Sequence, residues 1–267
     1  MFKGTSASAG IGIGKAVIVE EAELVITRNE VADAEAEIQR FKGALEKTIA
    51  ATQKMADDLA SRVGEKEAEI MQGHMMLLSD PMLTGEIENS VKNDKVNCEF
   101  AIENVCNMYA DMFASMGDEL MQQRATDMRD IKVRMQRTLM GLESVDVSLL
   151  PKGSILVAKD LTPSMTAGIN PENVSGIVTE LGGKTSHSAI LARALEIPAV
   201  VAVNGLMDAV KDGDSVVLDG STGEVFVNPE ASVEKEYEEK RSQFLKDKKG
   251  TGKIHWTAFC YKKTAYR

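Results

Sequence analysis

The sequence predicts an α/β domain that is interrupted by an all-α insertion, an antiparallel helical bundle. Residues 145–229 contain short β-rich runs bounded by Gly, Pro, Asp and Asn, whereas residues 29–143 place apolar residues at helical spacing. Residues 1–22 hold a further strand that has no sheet of its own. We therefore expect this strand to pair with the later ones, so that the α/β domain comprises residues 1–22 and 145–229 and the helical domain residues 29–143.

The amino-terminal segment is rich in glycine and then becomes apolar. Gly10, Gly12 and Gly14 precede the run from Ala16 to Val19, which predicts a turn followed by a strand. The glycines do not match a phosphate-binding P-loop, because the four-residue gap and the Lys-Ser/Thr pair are missing. We assign no nucleotide site to them.

Helical periodicity starts near Asn29 and continues to residue 143. From Val31 to Leu59 apolar residues recur every three or four positions, and Asn29 is positioned to cap this long helix. Pro81 suits the first turn of a later helix, where its missing N–H is not needed. The same spacing predicts further helices from about Lys66 to Leu78, from Pro81 onward, from Cys98 to Met116 and from Asp118 to Leu142.

The carboxyl-terminal half alternates short β-rich runs with turn residues. The segment from Thr185 to Leu195 is long enough for the crossover helix of a βαβ unit. Residues 230–248 predict an exposed linker helix, and residues 249–267 form a basic, aromatic, atypical tail to which we assign no function. The β-rich runs are Ser154–Ala158, Val174–Thr179, Ala199–Val203, Ser215–Leu218 and Val225–Val227.

The composition excludes several classes of protein. The 267 residues carry a formal net charge of -10, which argues against a nucleic-acid partner and favours a basic one. The three cysteines lack metal-ligand spacing, so we expect reduced thiols and no metal site. No apolar run approaches the roughly 20 residues of a membrane helix, and the start does not have the order of a signal peptide. We therefore expect a cytoplasmic protein with no membrane partner.

The segment around His187 has the features of a phosphoryl acceptor. A strand is predicted to end at Thr179, two glycines permit a sharp turn, and Thr185 or Ser186 can cap the next helix. His187 then lies in the first helical turn, where unpaired N–H groups and the helix dipole favour an anion. From the residues alone, an ordinary histidine at a helix terminus remains an equal alternative.

A phosphoryl acceptor also needs groups that fix its ring and hold the phosphate. Attack requires a neutral imidazole, so the second ring nitrogen must be held by a hydrogen-bond acceptor. The hydroxyl of Thr166 or a backbone carbonyl could do this. After transfer, the helix-terminal amides and Lys184 could stabilise the anionic phosphate.

Four motifs resemble those of a known family. Residues 182–193, Gly-Gly-Lys-Thr-Ser-His followed by Ser-Ala-Ile-Leu-Ala-Arg, resemble the phosphohistidine motif of phosphoenolpyruvate-utilising enzymes, among them pyruvate phosphate dikinase, phosphoenolpyruvate synthase and enzyme I. Residues 160–166 (DLTPSMT), 73–80 (GHMMLLSD) and 124–131 (RATDMRDI) resemble segments of enzyme I of the bacterial sugar phosphotransferase system. The resemblance covers about residues 1–246 in collinear order.

The resemblance implies a phosphohistidine mechanism. In this family a swivelling α/β domain carries the phosphoryl group on Nε2 of a histidine, which corresponds to His187, beside a threonine that corresponds to Thr166. Lys184, Thr185 and Ser186 would stabilise the phosphate, although Lys184 replaces the usual arginine and loses its bidentate geometry. The reaction would be reversible transfer from phosphoenolpyruvate to enzyme I and then to the phosphocarrier protein HPr, in the service of sugar uptake.

Family members continue into a barrel that binds phosphoenolpyruvate and Mg2+ and forms the dimer. We therefore expect this chain alone to need no cofactor, to be a monomer, and to exchange phosphate with HPr without accepting it from phosphoenolpyruvate.

The resemblance also implies a docking surface for HPr on the helical domain. Taken alone, the block at residues 73–80 is typical of a helix core with one surface histidine. The family match instead favours partner binding by Glu65, Glu67, His74, Met76, Leu77, Asp80 and Arg124. Two rival functions remain, a non-catalytic HPr-binding module and the mobile domain of a dikinase-like enzyme, although the block at residues 73–80 speaks against the second.

Overall fold

A computed structural model describes residues 1–20, 22–143 and 145–263, and their side chains except those of residues 67, 119 and 248–263. The chain falls into two compact units, and each unit is built from separate stretches of the sequence. The sheet unit comprises Met1–Val19, Leu149–Asp160 and the chain from Asn170 onward, and the helix unit comprises Glu20–Ser148 and Leu161–Ile169. The predicted mixed α/β class is confirmed. The segment Leu161–Ile169 belongs to the helix unit, although the sequence pattern had placed it in the α/β domain.

The helix unit packs its long helices around an apolar core. The largest buried side chains of this core are Ile38, Phe41, Leu78, Leu83, Ile87, Ile102, Met128, Ile131 and Met135. They recur at three- and four-residue spacing, so each helix turns one stripe inward. The helices are α1 (Ala34–Arg62), α2 (Glu65–Leu78), α3 (Pro81–Asp94), α4 (Cys98–Ser115), α5 (Glu119–Met140) and the short α6 (Pro163–Ala167).

The start of α1 differs from the prediction. Asp33 is the N-cap, and its carboxylate accepts hydrogen bonds from the amides of Glu35 and Ala36 at 3.0 Å each. Asn29 is not a cap, because it pairs with Asn97 through Asn29 N–Asn97 Oδ1 (2.9 Å) and Asn97 N–Asn29 O (3.0 Å). Asp33 satisfies helix-terminal amides that Asn29, four residues earlier, cannot reach. Pro81 opens α3 as predicted.

The sheet unit contains one sheet whose strands, within the described residues, follow the order β1-β8-β7-β3-β4-β5-β6-β2. Neighbouring strands from β3 through β6 run parallel and the remaining pairs antiparallel. The amino-terminal strand joins the later ones, as the sequence predicts. The strands are β1 (Phe2–Lys3), β2 (Thr5–Ser8), β3 (Ile11–Ile18), β4 (Ser154–Ala158), β5 (Val174–Thr179), β6 (Ala199–Val201), β7 (Ser215–Asp219) and β8 (Glu224–Val227).

Two of the early glycines lie inside β3, where the sequence had suggested a turn. A Cβ atom on Gly12 would lie 2.7 Å from the carbonyl oxygen of Ser175, and one on Gly14 would collide with the carbonyl oxygen of Gly153. Glycine is therefore required at both positions by close approach of neighbouring backbone rather than by chain reversal.

Three helices complete the sheet unit: α7 (His187–Ala194), α8 (Leu206–Ala209) and α9 (Ala231–Lys263). The predicted linker helix corresponds to α9 but extends past residue 248 into the tail. It is also not simply exposed, because Tyr237 is buried with Ile11 and Val217. Its phenol donates a hydrogen bond to Glu224 Oε2 at 2.9 Å. In the part of the chain that is described, no helix combines the length and apolarity needed to cross a membrane.

Candidate functional site

The candidate acceptor His187 is the first residue of α7, and its side chain is partly buried. The preceding Ser186 is the N-cap, with extended backbone angles of -63° and 153°. Its hydroxyl oxygen accepts a hydrogen bond from the amide of Ala189 at 3.3 Å. Of the two predicted caps, Ser186 takes this position and Thr185 does not. The helix dipole and the remaining amides of the first turn therefore act at His187.

The loop that precedes α7 is held by its own hydroxyl groups. Thr179, at the end of β5, donates its hydroxyl hydrogen to the carbonyl of Leu181 at 2.7 Å. Gly182 has a φ of +101°, which few residues with a side chain adopt. Ser186 donates its hydroxyl hydrogen to the carbonyl of Gly183 at 2.8 Å, and its amide donates to the same oxygen at 3.1 Å. Residues 183–186 therefore form a closed turn directly before His187.

A second serine completes the polar cluster at the helix start. Ser188 is buried, and its hydroxyl oxygen lies 2.9 Å from that of Ser186. Because the single hydroxyl hydrogen of Ser186 goes to Gly183, Ser188 is the donor in this pair. Lys184 and Thr185 are exposed within the same turn. An anion bound there would meet a lysine ammonium group and helix-terminal amides.

Thr166, the predicted orienting residue, lies on α6 in the helix unit, whereas His187 belongs to the sheet unit. Its hydroxyl is buried and donates to the carbonyl of Thr162 at 2.7 Å, with the carbonyl of Pro163 at 3.0 Å. Since the hydrogen is used by the backbone, the oxygen keeps acceptor capacity, which is the role predicted for it. Its pairing with His187 stays a prediction.

The predicted partner-binding residues on α2 and α3 differ in accessibility. Met76 is 74% exposed and Glu65 is also exposed. Leu77 is partly buried against the core of the helix unit, and Asp80 caps α3 by accepting from the amide of Met82 at 2.9 Å. The side chain of Glu67 lies outside the described residues. Met76 and Glu65 are thus available for contact, whereas Leu77 and Asp80 also serve the fold.

His74 corrects the expectation of a partner-contacting histidine, since its side chain is 0% exposed. Its Nε2 lies 3.2 Å from Asp127 Oδ1, and its Nδ1 lies 3.6 Å from Asp130 Oδ2. Both carboxylates belong to α5 and are themselves buried. The ring is therefore enclosed by acidic groups of a neighbouring helix and does not reach a partner.

Arg124 lies beside this cluster, and its side chain is 37% exposed. Its Nη1 is 3.4 Å from Asp127 Oδ2. A Cβ atom on Gly73 would lie 2.5 Å from the same Nη1, so the glycine of α2 makes room for the guanidinium. Arg124 thus presents a fixed positive charge at the surface of α2 and α5.

The sequence had suggested no role in the site for Asp127, Asp130 and Ser164. A signal for the two aspartates exists, because residues 127, 130, 134 and 137 place charged side chains at helical spacing, and all four are buried. Ser164 donates to Asp130 from both its amide (3.1 Å) and its hydroxyl (2.7 Å). Among the described residues, no group of three or more His, Cys, Asp or Glu side chains is arranged to hold a metal ion.

Comparisons with known proteins match both units. The model for the N-terminal region of phosphoenolpyruvate-utilising enzymes matches residues 3–124, and the model for their mobile domain matches residues 150–223. Phosphoenolpyruvate-protein phosphotransferases of Bacillus subtilis and Listeria monocytogenes are 40% and 41% identical over 95% and 91% of the chain. The chain spans only 44% and 42% of those two proteins.

Two solved structures are also similar. A solution NMR structure of an enzyme I protein is 39% identical, with a TM-score of 0.79, and the match covers 92% of this chain and 100% of that one. The N-terminal domain of a nitrogen-type enzyme I is 26% identical, with a TM-score of 0.58, over 91% of this chain and 100% of that one. The similarity therefore extends over both the sheet unit and the helix unit.

Proposed function

Because this chain belongs to the enzyme I family of phosphoenolpyruvate-utilising enzymes, we propose that it carries a phosphoryl group on His187 and exchanges it reversibly with the phosphocarrier HPr. The observation that carries the proposal is the position of His187 as the first residue of α7, behind a closed turn that presents Lys184. This turn lies within the region matched by the mobile-domain model.

The chemistry is an in-line transfer between two imidazole nitrogens. The lone pair of the reacting nitrogen of His187, Nε2 by resemblance, attacks phosphorus and forms the new N–P bond. The N–P bond to the histidine of HPr breaks, and its electron pair returns to that nitrogen. Lys184 and the amides at the start of α7 stabilise the negative charge of the transferred group, with Thr185 and Ser186 shaping the turn. Thr166 accepts a hydrogen bond from the other ring nitrogen and fixes the tautomer.

The helix unit supplies the docking surface for HPr. Met76 offers an exposed apolar contact, Glu65 a negative charge for a basic partner, and Arg124 a fixed positive charge. Leu77, Asp80 and Glu67 complete the proposed surface. The burial of His74 removes it from the set of direct contacts.

The family also suggests how this region serves the longer protein. The sheet unit would be the swivelling phosphohistidine domain and the helix unit the bundle inserted into it, in a cytoplasmic enzyme that supports sugar uptake. Phosphoenolpyruvate and Mg2+ would bind outside the region described, because the curated relatives are more than twice as long as their matched part. The 267 residues alone would then act as a monomer that exchanges phosphate with HPr only.

Intact mass spectrometry tests this function directly. The protein is mixed with phosphorylated HPr, and in parallel with phosphoenolpyruvate plus Mg2+. We expect one added phosphoryl group from phospho-HPr only, lost in acid and absent from His187→Ala. Binding of HPr without any adduct would favour the non-catalytic binding module. An adduct from phosphoenolpyruvate alone would contradict the proposed location of the donor site.

A further inference from the structure

The buried His74 makes one hydrogen bond to the neighbouring helix, from Nε2 to Asp127 at 3.2 Å, and its Nδ1 lies 3.6 Å from Asp130 Oδ2 without a hydrogen bond. It lies on α2, while Asp127 and Asp130, one turn apart on α5, face Nε2 and Nδ1. Residues at i and i+3 lie on the same face of a helix, so both carboxylates point towards the ring. Two buried carboxylates near each other are costly unless a donor lies between them. The ring of His74 lies between them, hydrogen-bonded to Asp127 and packed against Asp130.

The same network continues from Asp130 into α6. The amide and the hydroxyl of Ser164 both donate to Asp130, at 3.1 and 2.7 Å. The hydroxyl oxygens of Ser164 and Thr162 lie 3.1 Å apart, and Thr162 is the N-cap of α6. The carbonyl of Thr162 in turn accepts the hydroxyl hydrogen of Thr166. Asp130 is thus one anchor of this turn, and Arg62, which donates to the carbonyls of Ala167 and Ile169, is another.

The opposite end of the network lies at the surface. Asp127 is within 3.4 Å of Arg124, whose guanidinium rests above Gly73. A row of neighbouring polar side chains therefore crosses the helix unit, hydrogen-bonded except at the 3.6 Å contact between His74 and Asp130: Arg124, Asp127, His74, Asp130 and Ser164.

We propose that His74 is a positioning residue that holds Asp130, and through it the α6 turn with Thr166, in the arrangement needed for phosphoryl transfer. The inference rests on the proposed function for the role of Thr166 and deepens it by assigning a task to a histidine that touches neither partner nor phosphate. Because its ring is 0% exposed, His74 acts through Asp130 rather than on a reacting atom.

Amide hydrogen exchange tests the structural half of this proposal without any activity. In His74→Gln the flexible carboxamide cannot keep the contacts of the rigid ring with both carboxylates, so Asp130 is held less firmly. We expect the amides of Ser164 and Thr166 to exchange about tenfold faster than in the unmodified protein. The matched control is Gln136→Met, a buried site on α5, the helix that carries Asp130, whose side chain donates to Glu99 and Glu103. It should leave the α6 amides unchanged.

Phosphoryl transfer from phospho-HPr tests the functional half. We expect His74→Gln to lower the maximal rate of transfer to His187 by about tenfold or more, because small misplacements of orienting groups carry costs of this size. The KM for phospho-HPr should change little, since Met76 and Glu65 remain exposed. Adding Ser164→Ala to His74→Gln should cost little more, because both changes release the same turn.

Several results would overturn the proposal. Unaltered exchange at Ser164 and Thr166 in His74→Gln would show that the ring does not hold the turn. His74 has no positioning role if His74→Gln transfers phosphate at the unmodified rate or loses no more activity than Gln136→Met. The same conclusion follows if His74→Gln and Ser164→Ala lower the rate independently. If the unmodified protein takes up no phosphate, the proposed function fails, while the exchange measurement still decides whether His74 fixes α6.

Discussion

Removal of the Ser186 hydroxyl should destabilise the closed turn that precedes His187 at the start of α7. In Ser186→Ala the amide of Ala189 loses its cap, and the carbonyl of Gly183 loses a hydroxyl donor. Loss of a serine cap costs about 1 kcal/mol. Loss of a further neutral hydrogen bond costs about 1 kcal/mol. The closed turn should therefore lose about 2 kcal/mol against open alternatives, which corresponds to roughly a thirtyfold change in their ratio.

This change should appear in the transfer rate. If only the closed turn presents Lys184 and the helix-terminal amides correctly, activity scales with the fraction of molecules in that state. We therefore expect the rate of phosphate uptake from phospho-HPr to fall, by at most about thirtyfold. The assay is a rapid-mixing time course read by intact mass, with urea unfolding of the same sample as the measure of stability.

A control substitution at another helix cap separates a local effect on the turn before His187 from a general loss of stability. Asp33 caps α1 in the helix unit with two hydrogen bonds of 3.0 Å, so Asp33→Ala removes a comparable cap far along the chain. We expect it to lose about 1 kcal/mol of stability and to keep its transfer rate. Transfer by Ser186→Ala at the unmodified rate, or an equal loss of activity in Asp33→Ala, would show that the closed turn before His187 does not control transfer.

Two further predictions concern stability. Hydrogen bonds from Arg40 lower the pKa of Glu37, and although burial by itself raises the pKa of Glu99, bonds from Arg40 and its neighbours outweigh it and lower that pKa too. The stabilisation by these two carboxylates is therefore complete above their ordinary pKa of 4.5 and disappears as the pH falls through their lowered pKa values, so exchange of α1 amides should accelerate below about pH 4.5. Arg40→Met should remove about 1 kcal/mol of this acid-sensitive stability once solvent screening is allowed for. Equal acid sensitivity of exchange in Arg40→Met would contradict the prediction. Tyr237→Phe should destabilise the packing of α9 by about 1 kcal/mol, because it removes the hydrogen bond to Glu224, and unchanged exchange of α9 amides would argue against an anchoring role.

The strands from β4 onward could be predicted closely because their signals are local, whereas the short β1 and β2 were not predicted. Ser154–Ala158 and Val174–Thr179 have the predicted bounds, since β-branched residues there are flanked by Gly, Pro or Asn. The start of α7 could likewise be predicted, because glycine, a capping hydroxyl and an apolar run stand in the required order. Local chemistry along the chain was sufficient for these elements.

Other features depend on residues distant in sequence and could not be predicted. The pattern around His74 gives no indication that α5 brings two aspartates to its ring, so its burial was missed. Tyr237 lies in a highly charged segment, and only the approach of β3 and β7 explains why it is buried. Gly12 and Gly14 resembled a turn because the backbone that crowds them comes from residues 153 and 175.

The pairing of β3 has a consequence for synthesis of the chain. Ile11–Ile18 finds its parallel neighbour at Ser154–Ala158 and its antiparallel neighbour at Ser215–Asp219, so on the ribosome this strand emerges long before either partner exists. The helices from Ala34 to Met140 contact residues much nearer in sequence and can form during that interval. We therefore expect nascent chains released before residue 219 to expose an apolar strand edge, and to depend on chaperones more than the finished protein does.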